Sequence, residues 1–125
     1  MRLVCISDTH SLHHQMEHPL PKGDVLIHAG DISNKGGEKD VKDFIDWFKN
    51  LGGWDQKIFI SGNHDYCFER INKPSYKGDY KWLSHLMSQE NLSQSDITYL
   101  EDLLLELSED QFVDGFSQLI YTSSW

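Results

Sequence analysis

Short apolar runs alternate with longer polar segments along the first half of the chain. The runs are rich in β-branched residues, which is typical of strands that are covered on both faces. They are Leu3–Ile6, Val25–Ile27 and Ile58–Ile60. Each run is followed within a few residues by glycine or by polar side chains. The pattern predicts three buried strands in a sheet.

The connections between these runs differ in character. From Lys39 to Leu51, apolar residues recur at helical spacing, and Gly52 and Gly53 follow as a stop signal, which predicts an amphipathic helix. The segment from Ser11 to Asp24 contains two prolines and is predicted to be mostly loop. Strands that alternate with crossover segments predict an α/β fold with a largely parallel sheet.

The second half of the chain carries weaker signals. Asp79–Met87 is predicted to form a short helix with Leu83 on its apolar side. The stretch Ile97–Leu107 fits a strand at its start and a helix further on, so both assignments stay open on pattern alone. Gln118–Thr122 predicts one more strand.

Length and composition restrict the functional classes. A chain of 125 residues with 38% hydrophobic residues is expected to form a single domain, 1–125. Its formal charge of -9 disfavours contact with a polynucleotide or an anionic membrane. Only two cysteines are present, Cys5 and Cys67. They are expected to be buried free thiols, which together with the absence of a signal-like segment favours a cytoplasmic location.

The chemistry-bearing residues follow the ends of the three predicted strands. The first strand ends in Ser7-Asp8-Thr9-His10, the second in Gly30-Asp31 and the third in Gly62-Asn63-His64-Asp65. In a parallel sheet these ends share one edge, which is where α/β folds place ligands. Carboxylates gathered in a small volume repel one another unless a cation lies between them. The pattern therefore predicts a metal centre.

A role can be assigned to each of these residues. Asp8 and His10 can reach one ion, Asp31 can bridge two ions, and Asn63 can offer its amide oxygen to the second. Mixed nitrogen and oxygen ligands suit Mn, Fe, Zn or Ni. Among the catalytic candidates, His64 would donate a proton to a leaving oxygen and Asp65 would orient it.

Two ions held by a bridging carboxylate activate water and stabilise a phosphoryl displacement. The expected reaction is hydrolysis of a small phosphodiester or phosphomonoester through a metal-bridging hydroxide.

These blocks, each after a strand and in this order, resemble the first three signature blocks of the calcineurin-like metallophosphoesterases. The segment sequences are CISDTHS, GDVLIHAGD and ISGNHD, with Trp47 between the second and the third. They are similar to those of the subgroup of brain-expressed metallophosphodiesterases and their bacterial relatives. The resemblance implies a β-sandwich with flanking helices, of which this chain matches the N-terminal β-α-β portion. It implies two divalent metal ions, and it favours a strand at Ile97.

The family pattern also includes a later histidine and a Gly-His-x-His block, and neither is present here. One ion then lacks one ligand and the second lacks two, so that a single bound ion per chain is the other outcome. His85 is expected on a helix surface or in packing rather than as a ligand, and His28 is expected in the core. His13, His14 and His18 are expected in a solvated loop, with compensation for the missing ligands as the alternative. A chain ending this early is expected to leave a strand edge open, which favours a homo-oligomer or strand exchange.

Two functions from different classes remain. The first is a metallophosphoesterase, a hydrolase that acts on a small phosphate ester. The second is a catalytically incomplete metal-binding remnant that serves as an interaction or regulatory module. The number of ions bound per chain and the rate of hydrolysis would separate the two.

Overall fold

The fold is that of a computed structural model, which describes residues 1–71, 80–88, 92, 97–100, 104–106 and 119–121. It has six strands, three α-helices and one 3-10 turn in these ranges. The strands are β1 (Leu3–Ile6), β2 (Val25–His28), β3 (Gln56–Phe59), β4 (Ile97–Tyr99), β5 (Leu104–Glu106) and β6 (Leu119–Tyr121). The helices are α1 (Glu38–Asn50), α2 (Tyr66–Arg70) and α3 (Lys81–Leu86), and the 3-10 turn is His13–Gln15.

The first four strands form one parallel sheet in the order β1-β2-β3-β4. The register pairs Ile6 with His28 and His28 with Phe59. The last residues of β1, β2 and β3 therefore lie side by side, and the segments that follow leave the sheet at the same edge. Strands β5 and β6 form a separate antiparallel pair.

Helix α1 covers one face of this sheet. Its buried residues, Val41, Phe44, Ile45 and Phe48, recur at three- and four-residue intervals and form one apolar stripe. They pack in a single cluster with side chains of the strands, among them Val4, Leu26, Phe59 and Ile97. Ring contacts between the helix and β3, such as that of Phe44 with Phe59, with centroids 5.7 Å apart, join the layers. Packing of α1 on this face therefore holds the strands, and the edge at which they end, in position.

The opposite face of the sheet carries a smaller cluster. Val25, Ile58 and Leu100 are buried there, with Leu3 and Ile27 packed against them. Cys5 alternates onto this face but is exposed, whereas Cys67 is buried. The expectation of two buried thiols is therefore wrong for Cys5, because β1 is the outermost strand of the four-stranded sheet and leaves Cys5 without a neighbouring strand on that side.

Most of the elements expected from the pattern are present. The α/β prediction is confirmed, and α1 begins and ends within one residue of the expected helix. β2 extends to His28, while β3 begins at Gln56 and ends before Ile60. Ile97–Tyr99 is a strand, as the resemblance favoured. Asp79, Gln118 and Thr122 lie outside the described residues. Among the described helices, none has the length and apolarity needed to cross a membrane.

Lys57 is a buried cation in the middle of β3, with 3% of its surface exposed. Its ammonium group donates to the carbonyl oxygens of Phe48, Lys49 and Leu51, at 2.6, 3.0 and 2.9 Å. These carbonyls lie in the last turn of α1 and just after it, where the regular helical hydrogen bonds end. The Phe48 carbonyl also accepts from the Leu51 N–H, at 3.4 Å. The positive charge also lies at the negative end of the helix dipole. Lys57 therefore caps α1 from within the sheet.

Replacing Lys57 by methionine keeps the aliphatic stem and removes all three donors. We expect the free energy of unfolding, measured in urea, to fall by about 2–3 kcal/mol, because the helix carbonyls lose a charged partner. Lys42→Met is the matched control, since Lys42 is exposed on α1 and its ion pair among the described residues is with Glu38. Its expected cost is below about 0.5 kcal/mol. Equal losses in the two variants would contradict the capping role.

His28 ends β2 and is fully buried. Its ring bonds to the Thr9 hydroxyl at 2.9 Å, and its Nδ1 accepts from the Gly30 N–H at 3.2 Å. Nδ1 is therefore unprotonated and the proton lies on Nε2, so the imidazole is neutral. Burial lowers the pKa of His28 to about 4. The prediction of a hydrogen-bonded core histidine is confirmed.

The depressed pKa of His28 predicts a loss of stability in mild acid. Between about pH 6.5 and pH 4 the unfolded chain binds a proton that the folded chain excludes, so the free energy of unfolding decreases as the pH falls through this window. A shift of this size corresponds to about 3 kcal/mol. Urea denaturation at several pH values should show that the free energy of unfolding depends less on pH in His28→Gln than in His85→Gln. His85 is exposed and serves as the control. Parallel curves for the two variants would rule out this contribution.

Candidate metal centre

Backbone hydrogen bonds hold the first two loops together beyond the ends of their strands. The N–H groups of Asp8, His10 and Ser11 donate to the carbonyls of Gly30, Asp31 and Ile32, each at 3.0 Å. The loop after β1 therefore follows the loop after β2 at a fixed distance. This arrangement brings the side chains of Asp8, His10 and Asp31 to the same place.

Two glycines allow the third loop to approach the second. A Cβ on Gly30, whose φ is +105°, would lie 3.0 Å from the Cα of Gly62. A Cβ on Gly62 would overlap the carboxylate of Asp31. Any side chain at either position would therefore push the loop after β3 away from Asp31.

Asp65 fastens these two loops to each other. It is 1% exposed and accepts hydrogen bonds from the N–H groups of Ile32, Ser33 and Gly62, at 3.1, 2.9 and 2.8 Å. The Ser33 hydroxyl donates to the same carboxylate at 2.5 Å. Asp65 was expected to orient His64, but its oxygens are used by backbone and serine donors instead. The carbonyl of Asn34 accepts from the His64 ring Nδ1, at 3.1 Å.

His10 presents one nitrogen to two carboxylates. Its Nδ1 donates to the carbonyl oxygen of Ser33 at 3.1 Å, which in the neutral ring leaves a lone pair on Nε2. Nε2 lies 3.7 Å from an oxygen of Asp8 and 3.8 Å from an oxygen of Asp31. Metal-binding histidines in proteins usually donate their other N–H to a carbonyl or carboxylate in this way.

The spacing of these atoms fits a shared cation. Ligand atoms of Asp8, His10 and Asp31 all lie within 4.8 Å of one another. Metal–ligand bonds about 2.0–2.2 Å long separate neighbouring ligand atoms by about 3–4 Å, whereas hydrogen bonds would draw them closer together. A hydrogen bond from Ser7 lowers the pKa of Asp8 despite some desolvation. Asp8 is therefore ionised and ready to bind a cation.

The backbone at this edge is strained. Among the described residues, four non-glycine residues have φ between +42° and +65°: Asp8, His10, Ser11 and Asp31. All of them lie in the two loops at the sheet edge, and three of them are the predicted ligands. L-residues in this region cost of order 1–3 kcal/mol each and persist where the surrounding structure fixes them.

The structure places the remaining predicted residues beside this group. The N–H of His64 donates at 3.0 Å to Asp31 Oδ1, the oxygen that does not face His10. The rings of His10 and His64 are 5.0 Å apart in a T-shaped contact. Asn63 is exposed in the turn between Gly62 and His64. The residue after it, His64, is bonded to Asp31, and the carboxylates and imidazole that converge are those of Asp8, His10 and Asp31.

Some residues at this site were not found by sequence reasoning. Ser33 and Asn34 orient the two histidines through their main-chain carbonyls, and a carbonyl gives no residue-specific signal. Ser33 was detectable in principle, since its buried hydroxyl also donates to Asp65 and accepts from the N–H of Gly36. The signal in the sequence was the polar pair Ser33-Asn34, which follows Asp31 after one apolar residue.

Comparison with known proteins agrees with this geometry. The family model for calcineurin-like phosphoesterases matches residues 1–118. The chain is 45% identical over 126 residues to metallophosphoesterase domain-containing protein 1 of Homo sapiens and of Mus musculus, and the match covers 99% of the chain and 37% of each relative. A UPF0046 protein of Caenorhabditis elegans is 31% identical over 103 residues, covering 82% of the chain and 34% of that protein. The chain thus spans little more than a third of these relatives and belongs to the calcineurin-like phosphoesterase family.

Proposed function

We propose that this chain is the metal-binding part of a phosphoesterase that acts on a small phosphodiester or phosphomonoester. The observation that carries the proposal is the position of His10 Nε2, which lies between oxygens of Asp8 and Asp31 at 3.7 and 3.8 Å. Two carboxylates that face a nitrogen lone pair are unfavourable without a cation between them. Family membership supports the same chemistry.

Asp8, His10 and Asp31 would hold the first divalent ion, and Asp31 with Asn63 would contribute to a second. Bound ions of this kind supply positive charge that activates water and stabilises the oxygens of the phosphoryl group. Nitrogen and carboxylate ligands suit Mn, Fe, Zn or Ni, and manganese is the first ion to test. The cytoplasmic location stays a prediction.

The protein residues around this centre have separate tasks. The Ser33 carbonyl holds the His10 ring in the orientation that exposes Nε2. His64 is partly exposed and held by Asn34, so its Nε2 is the ring atom free to meet a substrate oxygen. Because Nδ1 already carries a proton for Asn34, proton donation from Nε2 requires the imidazolium form. The small phosphate ester would bind where His64 and the ligand group adjoin.

The strain in the two loops supports a functional origin for this arrangement. Backbone strain that gathers on chemistry-bearing side chains is a feature of functional sites. Here Asp8, His10 and Asp31 have positive φ, and neighbouring hydrogen bonds hold them there. A turn that served only to connect strands would be more stable with glycine at these positions.

Asp31→Asn tests the ligand assignment. Asparagine tolerates positive φ and keeps the shape of the side chain, so the fold should persist while the charge is lost. We expect manganese affinity, measured by calorimetry, to fall at least about tenfold. Hydrolysis of bis(p-nitrophenyl) phosphate should fall with it, because fewer chains hold the ion.

Asp46→Asn is the matched control, since Asp46 is exposed on α1 and does not belong to the group formed by Asp8, His10 and Asp31. Manganese binding and hydrolysis that are equal in both variants would refute the site. If the unmodified chain binds manganese but accelerates hydrolysis no more than the free ion, the chain is a metal-binding module rather than a complete catalyst. That second function is favoured by the small ligand set for the second ion, which in the described ranges consists of Asp31 and Asn63.

Asp8→Gly and Asp8→Ala together measure the backbone strain. Both remove the carboxylate, but only glycine relieves the φ of 55° at this position. In the presence of a chelator, we expect the glycine variant to be more stable than the alanine variant by roughly 1 kcal/mol in urea denaturation. At Asp46, inside α1, the same pair should show the opposite order. An alanine variant that equals or exceeds glycine at position 8 would show that the loop is unstrained.

A further inference from the structure

A second group of metal-binding side chains lies outside the centre described above. His13 and His14 form the 3-10 turn after the first loop, and Asp43 projects from α1. The Nε2 atoms of His13 and His14 lie 2.7 and 3.0 Å from the same carboxylate oxygen, Oδ2 of Asp43. Sequence reasoning expected both histidines to be solvated, and this is wrong for His13, whose side chain is fully buried.

The His13 ring is fixed by packing against aromatic neighbours. Its centroid lies 5.0 Å from the ring of Trp47 and 5.7 Å from that of Phe44. Within the described ranges its Nδ1 has no hydrogen-bond partner, so Asp43 is the group that binds this ring. Packing therefore holds the His13 ring with its Nε2 directed at the Asp43 carboxylate.

The three ligand atoms fit a tetrahedral ion after a small adjustment. Bonds of about 2.0–2.1 Å at tetrahedral angles separate ligand atoms by about 3.3 Å, slightly more than the observed spacing. His14 and Asp43 can provide this expansion because their side chains are 56% and 51% exposed. Two imidazoles with one carboxylate are a donor set that zinc uses in proteins, with the fourth position left to water.

We propose that His13 Nε2, His14 Nε2 and the Asp43 carboxylate form a second cation site, suited to zinc or a similar transition metal ion. The ion takes the place of the two hydrogen bonds that Asp43 Oδ2 accepts without metal. Each imidazole stays neutral, because its proton moves from Nε2 to Nδ1 when Nε2 binds the ion. The ion joins the 3-10 turn to α1, and because that turn begins three residues after His10, the site restrains the loop that carries Asp8 and His10. The site is independent of the phosphoesterase proposal, since it shares no ligand with that centre.

The test measures zinc binding to the full chain after removal of metal with a chelator. All proteins carry Asp31→Asn, which weakens the centre at the sheet edge, so that failure of that centre leaves the result unaffected. Calorimetry should show one zinc ion per chain in this background. Adding His14→Gln or Asp43→Asn should lower the affinity at least about tenfold.

His18→Gln and Asp46→Asn are the matched controls, because both residues are exposed and lie near the site in sequence. Zinc should raise the melting temperature of the background protein and of the two controls. It should raise the melting temperature of the His14 and Asp43 variants much less, and circular dichroism without zinc will show whether all of them are folded. Zinc affinity and thermal shifts that are the same in the site variants and the controls would overturn the proposal.

Discussion

The parallel register of β1, β2 and β3 is the constraint on which the candidate metal centre depends. Parallel strands end at the same edge, and here the residues that pair last are Ile6, His28 and Phe59. Hydrogen bonds from Asp8 and His10 to the next loop continue this alignment beyond the sheet. The alignment of the strands therefore brings together side chains that are more than 20 residues apart in sequence, such as those of His10 and Asp31.

Polar groups in the core are hydrogen-bonded, whereas some of those at the sheet edge lie beyond hydrogen-bond distance of each other. Lys57, His28 and Asp65 are buried, and each is bonded to backbone or side-chain partners that match its donors and acceptors. At the edge, His10 Nε2 faces carboxylate oxygens beyond hydrogen-bond distance. Buried polar groups that are fully paired stabilise a fold, whereas carboxylates that converge on a strained backbone repel one another unless positive charge lies between them.

Helix α1 connects the two groups of candidate metal ligands. Its inner face packs on the sheet through Phe44 and Phe48, and Lys57 from β3 caps its end. Its outer side carries Asp43, which binds the turn that follows the first loop. The position of that loop therefore depends on contacts with both the neighbouring strand and the helix. A change in the packing of α1 would move His13, and with it the loop that carries Asp8 and His10.

The sequence by itself determined the first three strands, the long helix and the candidate residues at the sheet edge, because strand and helix periodicities and polar strand ends are local patterns. Asp8, His10 and Asp31 were found this way, and the family resemblance came from the same blocks. The tertiary structure decided the burial of His13, the exposure of Cys5, and the partners of Lys57 and Asp65. These depend on which strand lies at the edge and on which backbone carbonyls and N–H groups come near. Every residue carries the same backbone groups, so residue types alone do not reveal which of them will be partners.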